Sequence, residues 1–175
     1  MIAENLSDLF QYHLELAYDG EREIAKHLPE WMELVSSSHL RTALEGCLEQ
    51  SKVHAQRLDR IFASLNRASG TSETNHAIHN FLNESEKLIK HIDRSPLLDS
   101  ALIIAANQAT QNEIARYGAL ASLARLQGMG EAAGLLAQTV AEKKTADQTL
   151  TELAVKFINP EAVGFQNSPR GLMMI

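Results

Sequence analysis

The sequence is poor in cysteine, aromatics, positive charge and long apolar runs, and each shortage removes a class of protein. A single cysteine, Cys47, in 175 residues excludes an internal disulfide and any metal site built from several thiolates. It falls on an apolar helix face and reads as a buried, inert thiol. The net charge of −6 argues against nucleic acid, because phosphate binding needs a basic face. The Lys and Arg residues are instead scattered, usually within a turn of Asp or Glu. No apolar run approaches the roughly 18 residues of a membrane span. The N-terminal MIAENLSDLF has neither the basic region nor the apolar segment of a signal peptide. These features lead us to expect a soluble cytoplasmic protein with no membrane or nucleic-acid partner. Gly-rich phosphate loops, Ser-His-Asp arrangements and Cys/His clusters are also missing.

What is present is alanine, leucine and helical periodicity. Aromatics are only 5 % of the chain, a mixture suited to helices packed side by side rather than to a sheet. A first helix is expected from about Asn5 or Ser7 to Val35. Its stripe is Leu6, Phe10, His13, Ala17, Glu21, Ile24, Leu28, Trp31 and Val35. Pro29 predicts a kink or break near its end. Ser36-Ser37-Ser38 forms a turn and caps a second helix over 39–65. Residues 66–75 read as a loop, followed by a short helix over 76–92. Ser95-Pro96 opens a third long helix over 97–127. Gly128 and Gly130 turn the chain into a fourth over 131–158, which Asn159-Pro160 stops. The fold class is therefore all-α: two helical hairpins joined by a long crossover with its own short fifth helix, packed as a four-helix bundle over 1–158. Residues 159–175 are expected to be an irregular tail. Its apolar end, Leu172-Met173-Met174-Ile175, is a candidate contact with the bundle, a second subunit or a partner.

Each long helix carries polar residues near the middle of its apolar stripe. They are Glu21, then Gln50 and His54, then Thr110 and Glu113, then Lys143 and Asp147. Antiparallel helices of similar length bring their midpoints to one level, so these residues describe a single polar layer. Helical bundles keep paired metals in such layers, with a Glu from each of two helices and paired ligands from the other two. Glu21, His54, Glu113 and Asp147 could hold iron or manganese, but the set is at least one carboxylate short of a di-metal centre. Gln50 and Thr110 are weak ligands, and Lys143 cannot ligate while protonated. A buried ammonium must be paired or lose its proton. The alternative is an internal salt-bridge network with no cofactor, in which Lys143 supplies the charge a metal would otherwise bring. A proton-transfer or ligand-binding role, with some of these residues facing solvent, is a further option. Glu49 and Glu142 lie just off the stripe, as outer-shell candidates. His76 and His79 could bind a metal or form a solvated pair, and His13 reads as a core histidine.

Several stretches carry a resemblance: Ala17-Tyr18-Asp19-Gly20-Glu21, Gln56-Arg57-Leu58-Asp59, Asp99-Ser100-Ala101-Leu102-Ile103 and, most specific, Glu113-Ile114-Ala115-Arg116-Tyr117-Gly118. From Leu6 to Phe157 the chain resembles the YciF-like family, ferritin-like bacterial proteins linked to stress responses and without an assigned function. The resemblance implies a four-helix bundle that dimerises and has a possible di-metal centre. Glu21, Glu113 and Asp147 match acidic positions of the family pattern. Gln50, Thr110 with Gln111, and Lys143 depart from it, standing where the family has Glu, Glu with His, and an acidic residue. His54 stands where Gln is commoner. The resulting expectation is a non-enzymatic, stress-associated or scaffolding homodimer with a degenerate metal site and no cofactor. The alternative is a mono- or dinuclear metal-dependent oxidoreductase acting on peroxide or dioxygen. A second apolar set, Leu9, Leu16, Leu34 and Leu48, points to the dimer surface.

Overall fold

The computed structural model describes residues 3–70 and 73–166. Helix α1 spans Leu6–Leu34, α2 Ser38–Ser64, α3 His76–Ile89, α4 Pro96–Leu126 and α5 Gly130–Leu153. A π-helical turn, Ala154–Ile158, leads into α6, Asn159–Gln166. Local chemistry explains the starts. Asn5, Ser37, Asn75 and Ser95 each accept a hydrogen bond from a first-turn N–H, satisfying one of the donors a helix leaves unpaired. Pro96 sits in the first turn of α4, where its missing N–H costs nothing. Gly128 adopts φ +73°, the left-handed conformation that lets the chain reverse between α4 and α5.

Two departures from expectation involve proline. Helix α1 runs through Pro29 to Leu34 without breaking. The last two turns bury Trp31 and Val35 in the core, and that burial offsets the hydrogen bond lost at the Ala25 carbonyl. At the other end of the chain, Asn159-Pro160 does not stop the helical path. The backbone widens into the π turn, and the Asn159 N–H donates to the Ala154 carbonyl. This wider spacing relieves the clash between a proline ring and the preceding turn, so residues 159–166 are helical where an irregular tail was expected. The rest of the tail, including Leu172 to Ile175, lies outside the described residues.

Helix α1 packs against α2 and α4, and α5 packs against both of these, so the four long helices close a ring; α3 lies across α1 and α4. Two aspartates of the motif stretches pin the connections. Both oxygens of Asp99 accept from the α1–α2 turn: from the Ser36 N–H at 2.9 Å, the Ser36 hydroxyl at 2.6 Å and the Ser37 N–H at 2.9 Å. Asp19 accepts the Asn75 N–H at 2.8 Å, fixing the start of α3. The Asn75 side chain comes so near Gly20 that a Cβ there would meet its amide nitrogen at 3.2 Å, which accounts for the glycine.

The apolar core falls into two clusters. One holds Ile24, Leu28, Trp31, Leu40, Leu44, Leu102 and Leu150, and it includes α3 through Ile78 and Leu82. The other holds Phe10, Leu14, Leu58, Phe62, Tyr117, Leu120 and Leu136. Between them, in chain order on every long helix, lie Glu21, Ser51, His54, Thr110, Glu113 and Lys143, all buried. Of the second apolar set, Leu16 is buried and Leu48 packs on the first cluster, so only Leu9 and Leu34 remain exposed. Other large exposed apolar side chains are Leu97 and Ile104 on α4, with Val155 and Phe157 in the π turn.

Candidate functional site

The buried layer is a continuous chain of charged and polar groups. The Lys143 ammonium lies between the carboxylates of Glu21, at 3.2 Å, and Glu113, in closer contact still. Glu21 also accepts from the Tyr117 hydroxyl at 2.9 Å, and its Oε1 lies 3.1 Å from Nδ1 of His54. The other ring nitrogen of His54 lies 2.9 Å from Glu142, which takes a two-pronged hydrogen bond from the Arg57 guanidinium. The network thus runs from Arg57 and Glu142 at the α2–α5 surface through His54 and Glu21 to Lys143 and Glu113 at the centre.

Electrostatics give the two central carboxyls opposite roles. Burial alone would raise Glu21, but Lys143 and then His54 outweigh it and hold the carboxyl at about 2. The Ser51 hydroxyl adds a smaller pull without a hydrogen bond of proper geometry. Glu113 goes the other way: burial, and then the negative charge of Glu21, push it up to about 8 against the pull of Lys143. Near neutral pH, then, one carboxyl is charged and its neighbour keeps a proton. Burial works against the Lys143 ammonium, yet Glu113 and Glu21 together raise it above its ordinary range. At the surface end, the Arg57 hydrogen bond is the main reason Glu142 is held at about 2. Burial and Glu21 raise Tyr117 well above its usual value, so it remains a donor. Two cations, Lys143 and Arg57, face two ionised carboxylates, Glu21 and Glu142.

Not every residue singled out from the sequence joins this network. Glu21, His54, Glu113 and Lys143 do. Thr110 is buried beside them, but its hydroxyl donates back to the Ala106 carbonyl at 2.9 Å. Gln50 is half-buried at the edge of the layer. Asp147 points away and accepts from Gln111 at 2.7 Å, towards solvent. In exchange the network takes in Glu142, together with Arg57 and Tyr117, whose parts the sequence reading missed. The signal was spacing: Arg57 follows His54 by three residues and Tyr117 follows Glu113 by four, each on the same helix face.

This donor set does not fit a metal pair. An ammonium stands between the two central carboxylates, both nitrogens of His54 already face carboxylates, and Asp147 is turned out. Among the described residues, no group of three His, Cys, Asp or Glu side chains is placed to hold an ion. Elsewhere, His76 is exposed. His79 lies 2.9 Å from Asp19 and 3.7 Å from Glu23, and His27 lies 3.1 Å from Glu86, a half-exposed ladder between α1 and α3. His13 sits at 3.2 Å from the Arg116 guanidinium, and burial is the main cause of its lowered pKa. Cys47 packs on the first core cluster, and burial pushes its thiol up.

Fold and layer together define a helical bundle with a buried charge network at its midplane. The chain belongs to a family described as a domain of unknown function, DUF892, whose model matches residues 5–163. Protein YciF of Escherichia coli strain K12 is 30 % identical over 162 residues, which is 93 % of this chain and 98 % of that protein. The crystal structure of the E. coli stress protein YciF matches with a TM-score of 0.84 at 29 % identity, covering 90 % of this chain and 99 % of its own. YcfI, a candidate structural protein from Rhodopseudomonas palustris, matches with a TM-score of 0.81 at 28 % identity, covering 85 % and 94 %. No described helix is long and apolar enough to cross a membrane.

Proposed function

We propose that this protein is a non-enzymatic, stress-associated bundle of ferritin-like ancestry, in which Lys143 has taken over the charge-balancing role of a midplane metal. The observation that carries this reading is the Lys143 ammonium set between Glu21 and Glu113. A divalent ion in that place would have to displace a cation that already neutralises Glu21 and donates to Glu113. The relatives described as a stress protein and a candidate structural protein support the same direction. The test is metal analysis of protein purified without chelator. Well under one equivalent of iron, manganese or zinc per chain is expected, with a melting temperature that chelator leaves unchanged. Stoichiometric metal lost on changing His54 or Glu113 would favour an oxidoreductase acting on peroxide or dioxygen instead.

The working unit in this proposal is a cytoplasmic homodimer. Leu97 and Ile104 on α4, with Val155 and Phe157 beyond α5, leave apolar area that a second copy would cover. Sedimentation at micromolar concentration should give twice the chain mass, and a monomer mass would refute this.

A further inference from the structure

Next to Glu113, between the layer and the first apolar cluster, is a small cavity of about 20 Å³. A single water needs about 10–15 Å³ on the same measure. Three residues lining it each carry a buried polar atom with no hydrogen-bond partner: Trp31 Nε1, Ser51 Oγ and Glu113 Oε1. All three side chains are at least nine-tenths buried. Buried polar groups are almost always satisfied, and three unsatisfied atoms around one void point to a shared partner. Lys143 lines the same void with two of its three N–H bonds already committed to Glu21 and Glu113.

The chemistry of the three atoms restricts what that partner can be. The Trp31 indole only donates, whereas the Ser51 hydroxyl can do either, and Glu113 Oε1, the oxygen Lys143 does not contact, accepts as a carboxylate and donates when it carries the proton. A cation would meet the indole N–H and the Lys143 ammonium, both positive. An apolar solute would satisfy none of the three. A neutral molecule that both accepts and donates, and is no larger than a water or two, matches volume and polarity together. A groove of about 390 Å³ between α2 and α5 shares Cys47, Gln50 and Ala146 with the cavity wall.

We infer that this cavity is a specific hydration site, in which water enters past Gln50 from the α2–α5 groove, accepts from the Trp31 indole and hydrogen-bonds Glu113 Oε1 and the Ser51 hydroxyl. This goes beyond the metal-free reading of the layer and stands on different atoms. Metal analysis decides that reading and leaves this one untouched.

Trp31 is the single tryptophan, so the ¹⁵N-labelled full chain gives one indole N–H resonance. A dipolar cross peak between that proton and water is expected, with the sign of direct contact rather than of proton exchange. Ser51→Ala should keep the cross peak, since Trp31 and Glu113 remain. Its loss would assign the signal to an exchanging hydroxyl and overturn the site. Ala109→Val, which adds two methyls to the cavity wall, should abolish the cross peak and move the tryptophan emission to the blue. A wild-type protein with no water cross peak has a dry cavity, and that result overturns the inference whether or not Ala109→Val folds. Survival of the cross peak in a folded Ala109→Val variant would place the water elsewhere.

Discussion

His54 at the midplane and His27 on the outer face of α1 each stand beside two carboxylates, yet the two settings share little else. His54 bridges Glu21 and Glu142 with no exposure of its ring, whereas His27, with a side chain 10 % exposed, reaches Glu23 and Glu86 in a ladder that His79 extends to Asp19. Water still reaches the rim of the ladder, where Lys26 and Lys90 lie within 3.6 Å of Glu23 and Glu86. In the bundle interior a surplus charge costs several kcal/mol, and the groups must settle their protonation among themselves. Glu113 shows the result: with Lys143 already matched by Glu21, the second carboxyl keeps its proton to about pH 8. Identical side-chain types thus make an obligatory network in one place and a partly solvated ladder in the other.

Removing the midplane cation should break that contrast most sharply. Lys143→Ala leaves Glu21 with only the Tyr117 hydroxyl and the His54 ring against its charge, and by the usual cost of stranding one member of a buried pair it should lose about 3–5 kcal/mol in urea denaturation at neutral pH. Lys143→Glu should be worse, and partly rescued by added divalent cations, because it rebuilds a carboxylate cluster. Equal stability of Lys143→Ala and the wild type would mean the network is no tighter than the ladder.

The pH dependence is the next largest effect. Glu113 is raised from an ordinary 4.5 to about 8, so its contribution to stability is present below pH 4.5 and is lost as pH rises through 8. Glu21, lowered to about 2, contributes above 4.5 and loses its share as pH falls towards 2. Glu113→Gln mimics the protonated carboxyl, so its stability should gain on the wild type between pH 4.5 and 8 and run parallel above that. A constant difference across the range would contradict the assignment of the proton to Glu113.

The smallest effect belongs to the ladder. His79→Ala should cost no more than about 1 kcal/mol, and raising the salt concentration should shrink it further, because pairs that water still reaches are weak and screened. A larger, salt-insensitive loss would put the ladder in the same class as the midplane.

How much of this was legible in the sequence depended on whether one helix or several decided the outcome. Caps at Asn5, Ser37 and Ser95 and the periodic stripes are properties of single segments, and the helix starts lie within a residue or two of where they point, whereas α3 ends three residues early and α5 gives way to the π turn five residues early. The level at which Glu21, His54, Glu113 and Lys143 meet needed only equal helix lengths and antiparallel neighbours. Asp147 and Glu142 exchanged roles for a geometric reason. A stripe assumes one buried face, but α5 touches both α4 and α2, and Glu142 lies on the α2 side. The buried seam of α5 runs through Leu136, Thr139, Lys143 and Leu150, which leaves Asp147 at its edge, against Gln111. The ladder and the cavity were invisible because each depends on where α3 comes to rest, and no local pattern encodes that.

The layer also limits how the helices can sit against one another. An apolar stripe tolerates sliding, since one leucine replaces another after a turn. Moving α5 by one turn, about 5.4 Å, would bring Asp147 opposite Glu21 and Glu113, three acids with no cation among them. The opposite shift would present Thr139, which cannot neutralise Glu21. Only the observed register sets an ammonium against these two carboxyls. Lys143 therefore acts as a locating pin for the bundle, excluding slipped alignments that greasy packing alone would accept.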